Sequence, residues 1–181
     1  MTKNNIDELI IAMGNTPKLM PDAKYVVSDE DIVKRIDQQY VANITDRDGR
    51  TLLMYASLYE RPKIIEWLIS KGDDINCSDK MGNTALHFAV QSGSKVTTSL
   101  LIKYGANVNA KDSFGNSPIM RCNLVTPHNV FELLIQNDAN PYQKNNFGLC
   151  AMDIFQTYDE ILNILKTTKA GLAVATAELE K

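Results

Sequence analysis

Apolar residues recur along this chain in short bursts separated by polar, glycine-marked breaks. Leu52-Leu53-Met54-Tyr55-Ala56 is followed by Ile64-Ile65-Glu66-Trp67-Leu68-Ile69. Ala85-Leu86-His87-Phe88-Ala89 is followed by Val96-Thr97-Thr98-Ser99-Leu100-Leu101-Ile102. The pair returns as Pro118-Ile119-Met120-Arg121-Cys122 with Val130-Phe131-Glu132-Leu133-Leu134-Ile135, and as Ala151-Met152-Asp153-Ile154-Phe155 with Ile161-Leu162-Asn163-Ile164-Leu165. The pattern predicts two helices per unit, each only about two or three turns long. A helix that short is marginal alone in water, so the units must be stabilised by stacking on one another.

The period is fixed by four glycines, Gly49, Gly82, Gly115 and Gly148, each 33 residues after the last. Two residues after each glycine stand Thr51, Thr84, Ser117 and Cys150; the first three suit a helix N-cap. Four residues after each stand Leu53, Leu86, Ile119 and Met152, all apolar. Small residues, Ala56, Ala89 and Cys122, occupy the seventh place in the first three units and let neighbouring helices approach. The second helices end at Lys71-Gly72-Asp73-Asp74, Tyr104-Gly105-Ala106-Asn107 and Asn137-Asp138-Ala139-Asn140. Glycine there suits a left-handed cap, and Asp138 replaces it with a residue that tolerates that conformation. Asp46, Asp79 and Asp112 each stand three residues before a repeat glycine, where an aspartate side chain closes a turn.

The segments Gly82-Asn83-Thr84-Ala85-Leu86-His87-Phe88-Ala89 and Gly105-Ala106-Asn107-Val108-Asn109-Ala110-Lys111-Asp112 closely resemble the ankyrin repeat, whose period of 33 and T-P-L-H-x-A signature are well established. The resemblance covers about residues 40–165. Departures are local: Ala85 stands where proline is usual, Glu60 where glycine separates the helices, and Thr97 and Thr98 where branched apolar residues are usual. The resemblance implies an all-α ankyrin-repeat solenoid of helix-turn-helix units joined by β-hairpin-like loops. We expect one domain over 1–181, with full repeats at 46–78, 79–111 and 112–144 and a shortened repeat at 145–165. Residues 1–45 read as a degenerate capping unit, with Ser28-Asp29-Glu30-Asp31 as a capping box for a helix running to about Gln39. Residues 166–181 read as a tail or capping helix.

Composition narrows the function. A net charge of −3 and no Lys/Arg cluster argue against a nucleic-acid partner. No apolar run approaches the ~18 residues of a membrane helix, and Met1–Glu8 lacks the basic and apolar regions of a signal peptide. Cys77, Cys122 and Cys150, odd in number and scattered, suit free thiols in a reducing compartment. The expected location is therefore cytoplasmic. The histidines, His87 and His128, have no partner at metal-ligand spacing, and no phosphate loop or nucleophile motif is present. No catalytic residue, metal or cofactor is expected. The resemblance gives His87 a structural hydrogen bond to the neighbouring hairpin.

In ankyrin proteins the hairpin tips and first helices form the concave, partner-binding side. The residue before each repeat glycine lies at a tip: Asp48, Met81, Phe114 and Phe147. With tips about 10 Å apart, the spacing of packed helices, the last three make an apolar stripe. A second row comes from the first-helix ends, Leu58, Tyr59, Leu124 and Val125, with Tyr55, Phe88 and Arg121 one turn earlier. Aromatic residues, Met and Arg are enriched at protein interfaces. The expected function is a monomeric, non-catalytic scaffold that binds a protein partner, neutralising a toxin or regulating an enzyme. The run Asp46–Ala56 resembles small stand-alone bacterial ankyrin proteins. The alternatives are a secreted effector or viral host-binding protein, and a regulatory subunit of an enzyme complex.

Overall fold

The computed structural model describes residues 10–11, 13–14, 27–37, 40–122 and 128–154, and the structural statements below concern these. They form an all-α stack. After helical residues at Ile10, Ile11, Met13 and Gly14 come α1 (Asp29–Asp37), α2 (Leu52–Leu58), α3 (Pro62–Ser70), α4 (Ala85–Ser92) and α5 (Lys95–Lys103). A 3-10 turn (Pro118–Arg121), α6 (His128–Gln136) and α7 (Ala151–Ile154) complete it. There is no strand among the described residues; the links between units are hairpin loops with isolated bridges such as Thr45 to Thr51 and Ser78 to Thr84. Residues 38–39 and 155–181 lie outside the described residues, so the predicted end of α1 at Gln39, the last second helix and the C-terminal tail are not placed.

Each helix starts for a local reason. Ser28 Oγ accepts from the Asp31 amide at 3.1 Å while donating to the Asp31 carboxylate at 2.9 Å, an N-cap that realises the serine half of the expected capping box. Thr51 Oγ1 accepts from the Met54 amide at 3.3 Å and begins α2. Pro62 begins α3, where its missing N–H costs nothing. Ser94 Oγ accepts from the Thr97 amide and begins α5. The ends are as specific. Gly72 and Gly105 take φ of 95° and 90°, and Asp138 takes 66° in glycine's place, as expected. Glu60 adopts φ 56° between α2 and α3, where the next unit has Gly93.

The apolar faces meet in one continuous core. Met13, Ile32 and Ile36 of the N-terminal segment join Leu53, Ile64, Ile65, Leu68, Leu86 and Leu101, and the core continues through Ile119, Phe131 and Leu134 to Ala151. α2 packs on both α3 and α4, α4 on α5 and the 3-10 turn, and α5 on α6. First helices thus form one row and second helices another. Thr97 and Thr98 are wholly buried within it.

The third unit departs from expectation. Its first helix is reduced to the 3-10 turn, and Cys122 is already extended at φ −58°, ψ 138°. Ser117 makes no side-chain cap, and its hydroxyl is buried without a partner. Downstream, Val125 and Thr126 are β-branched and Thr126 precedes Pro127, a combination that disfavours continued helix. Leu124 and Val125 lie outside the described residues.

Candidate protein-interaction face

The four hairpins repeat the same construction. In each, one side-chain oxygen accepts two backbone amides. Asp46 Oδ1 takes Asp48 and Arg50 (2.8 and 2.9 Å), and Asp79 Oδ1 takes Met81 and Asn83 (2.9 and 2.8 Å). Asp112 Oδ1 takes Phe114 and Asn116 (2.9 and 2.8 Å), and Asn145 Oδ1 takes Phe147 and Leu149 (2.9 and 3.0 Å). The glycine that closes each turn has φ near 78°, a region open to glycine and costly for others. Adjacent hairpins are joined tip to tip. The amides of Lys80, Ser113 and Asn146 donate to the carbonyls of Asp48, Met81 and Phe114 at 2.8–2.9 Å.

This construction leaves the tip side chains facing out. Met81 is 45% exposed, Phe114 44% and Phe147 70%. The rings of Phe114 and Phe147 stack at 6.3 Å between centroids with 26° between planes. They lean together to less than the expected tip spacing, yet both keep a large open face. Leu149, two residues beyond the Phe147 tip, is 49% exposed and extends the apolar area. It lies outside the predicted stripe. The signal was available: the residue after each repeat glycine is polar in three units (Arg50, Asn83, Asn116) and apolar in the fourth.

The second row is put to other uses. Phe88 is only 8% exposed, and the Arg50 guanidinium lies over its ring at 5.6 Å. Phe88 is therefore a covered core residue and not part of an open face, because Arg50 folds back toward Asp79 (3.6 Å). The Tyr55 hydroxyl donates to Asp46 Oδ2 at 2.6 Å. Arg121 donates to Asp112 Oδ2 and Asn83 Oδ1, both at 2.7 Å. Both side chains brace hairpins, each donating to the carboxylate oxygen that the turn leaves over, Tyr55 as a neutral donor and Arg121 as an ion pair. Leu58 and Tyr59 are partly buried against the core, and Tyr59 stacks on Tyr55 at 6.2 Å. Of the second row, Tyr55, Leu58, Tyr59 and Arg121 keep partial exposure, with Tyr59 lying against Gly14 of the N-terminal segment.

These contacts set the local charge states. Burial pushes the Asp46 carboxyl up, but the Tyr55 hydroxyl and the Arg50 and Asp48 amides outweigh it and hold it below the usual range. Asp112 is likewise held down, against burial, by Asn116, Phe114 and Arg121. His87 is shifted down by burial and stays neutral. Its Nδ1 accepts from the Thr84 amide (3.1 Å) at the start of α4, and its Nε2 faces the Asn116 carbonyl (3.2 Å) of the next hairpin, the bond that the resemblance implied. The His128 side chain lies outside what is described. The Cys122 thiol is pushed up to about 12 by burial, and burial raises Cys77 and Cys150 as well, so none is an activated thiolate. Among the described residues no three His, Cys, Asp or Glu side chains converge as metal ligands, and no helix is long and apolar enough to cross a membrane.

A second ladder, absent from the sequence reading, ties the loops after the second helices. Asn43, Asn76 and Asn109, again 33 apart, present Oδ1 to the amides of Asp74, Asn107 and Asn140 at 2.8–2.9 Å. It is structural, and it cross-links each loop to the next along the stack.

The model for ankyrin repeats (3 copies) matches the chain over residues 19–112 and again over 53–146. No curated protein matches it.

Proposed function

The chain belongs to the ankyrin repeat family, and on that premise we propose that it is a non-catalytic scaffold that binds a protein partner along its hairpin tips. Ankyrin repeats are generally protein–protein interaction modules. The observation that carries the reading is the Phe114–Phe147 pair. Two stacked phenylalanines stand exposed on adjacent tips, where the turn geometry is fixed by Asp112, Asn145 and the glycines and asks nothing of the side chain. Large exposed apolar groups clustered on a rigid surface mark an interaction site. Met81 and Leu149 widen the patch, and Arg121 braces the Phe114 hairpin through Asp112. The role we infer is occupation: a monomeric binder that covers a functional surface of its partner, as a neutraliser of a toxin or a regulator of an enzyme would.

The test is a double substitution, Phe114→Asp with Phe147→Asp. The ring pair contributes about 0.5–1.5 kcal/mol beyond its buried area, so the fold survives with a slightly lowered thermal midpoint. Capture of the partner from the native cell extract is lost in the variant. Capture at the wild-type level overturns the reading.

A further inference from the structure

We propose that the hairpin face accepts an acidic protein segment carrying apolar anchor residues, an inference that rests on this face being the partner surface. The chain is net negative, at −3, but its hairpins present the opposite balance to solvent. Their carboxylates are consumed internally. The Asp79 and Asp112 side chains are 1% exposed, and both oxygens of Asp46 are hydrogen-bonded. Asp48 is the one exposed carboxylate among the four hairpins. Apart from Arg50, which folds back on Asp79, their cations are free. Arg47, Lys80, Lys111 and Lys144 are exposed, and among the described residues none is in an ion pair. Lys144 lies near enough to Asp153 to help lower its pKa, after stronger hydrogen bonds from Cys150, without pairing with it.

These cations keep the repeat register. Lys80 follows Arg47 by 33 residues, and Lys144 follows Lys111 by 33. Lys111 and Lys144 stand on the hairpins that carry Phe114 and Phe147, and Lys80 on the neighbouring hairpin that carries Met81, so free positive charge and the apolar patch share one face. A partner matching both features presents Asp or Glu around Leu, Phe or Trp. Cations at the rim of such a contact steer encounter and select against basic partners. Basic residues beside aromatic rings also suit single-stranded nucleic acid. Here the stacked rings face each other, the neighbouring Met81 and Leu149 offer no stacking surface, and the family's repeats are protein modules.

A random peptide library displayed on phage tests the inference, selected on the wild-type protein alone, with the recovered leads then compared on the Phe114→Ser, Phe147→Ser variant. The recovered peptides are expected to combine acidic and large apolar residues. A synthetic lead peptide followed by fluorescence anisotropy should bind about tenfold or more weakly to the Lys80→Glu, Lys111→Glu, Lys144→Glu variant, and should bind wild type more weakly as salt is raised. Circular dichroism confirms that the exposed charge reversals leave the fold intact. Apolar leads without acidic residues, unaffected by salt or charge reversal, overturn the acidic preference and leave the partner face standing. Leads that bind the Phe114→Ser, Phe147→Ser variant as tightly as wild type overturn the face itself. Recovery of nothing above background overturns the inference, as does charge-sensitive binding of an oligothymidine 20-mer tighter than that of any peptide.

Discussion

Gly82 and Gly148 share a backbone conformation, φ 78° and 77°, and differ in their surroundings. A Cβ on Gly82 would meet the Ser113 amide nitrogen at 2.9 Å and the Asp112 backbone at 3.0 Å; a Cβ on Gly148 would meet nothing within 4 Å. Gly148→Ala should therefore cost only the left-handed backbone term, about 1–2 kcal/mol. Gly82→Ala should cost more, because the next hairpin must also move. Urea unfolding of the two variants checks the difference, and equal losses would show that the hairpins do not press together. His87 gives a second prediction at this scale. Its folded pKa is depressed below 6.5 by burial, so the unfolded chain binds the proton more readily. The stability it contributes is complete above pH 6.5 and is lost as pH falls toward the folded pKa, by up to about 1.4 kcal/mol per pH unit. His87→Asn should flatten that slope in urea titrations between pH 7 and 5; the same slope in both proteins would refute the assignment. The even glycine spacing made both positions readable in the sequence. It could not show how the side chains of Tyr55, Phe88 and Arg121 are spent. All three share one register position, but whether a residue there faces a partner depends on the hairpin carboxylate beside it. That pairing crosses 9 residues between Tyr55 and Asp46 and again between Arg121 and Asp112, and for Phe88 it is replaced by the Arg50 cover.

Elements of like sequence need not have like structure, and the first helices show why. Thr51, Thr84 and Ser117 open three units at the same offset, and each is followed by an apolar burst. The difference lies in what the opening residue can engage. Thr51 engages Met54 and Thr84 engages His87, while the Ser117 hydroxyl is buried and unpartnered. The Pro118–Arg121 segment then makes a single tight turn instead of a helix. The helical period was readable there, but the outcome was set by a cap and by a downstream Thr-Pro pair that periodicity does not weigh. The consequence is local stability. Cys122 donates its amide to Ile119 only across the turn, at 3.2 Å, whereas Ala89, at the equivalent place, lies within α4. Native-state hydrogen exchange should find the Cys122 amide exchanging at least about tenfold faster than Ala89, a gap of ~1.4 kcal/mol in opening free energy. Equal protection would mean that the turn is as well supported as the helix.

Stacked units are held by nearest neighbours, so cooperativity depends on the weakest joint. From the first full unit to the last, each joint has a tip-to-tip backbone bond between hairpins. The N-terminal unit is attached by side chains instead. The Tyr40 hydroxyl donates to Asp73, which also accepts the Asn43 amide at 2.7 Å. Lys63 pairs with Glu30 and Lys71 with Asp37 at 2.8 Å on the surface, where such pairs contribute little. The strongest tie is Arg61, 8% exposed, which donates to the Met13 carbonyl at 3.1 Å and to Asp29 at 2.9 Å. Removing one partner of a fully buried pair costs about 3–5 kcal/mol; Asp29 keeps some exposure, so the loss here is smaller, but it falls on a single joint. Arg61→Ala should therefore separate the N-terminal unit from the rest and not merely lower the whole. The chain carries its own reporter, because its one tryptophan, Trp67, packs edge-on against Tyr40 at 5.0 Å across that joint. In the wild type, tryptophan fluorescence and far-ultraviolet circular dichroism should give coincident urea midpoints. In Arg61→Ala the fluorescence transition should come first, with the helical signal following at higher urea. A single shared transition in the variant would mean that the apolar contacts of Met13, Ile32 and Ile36 hold the unit in place without the arginine.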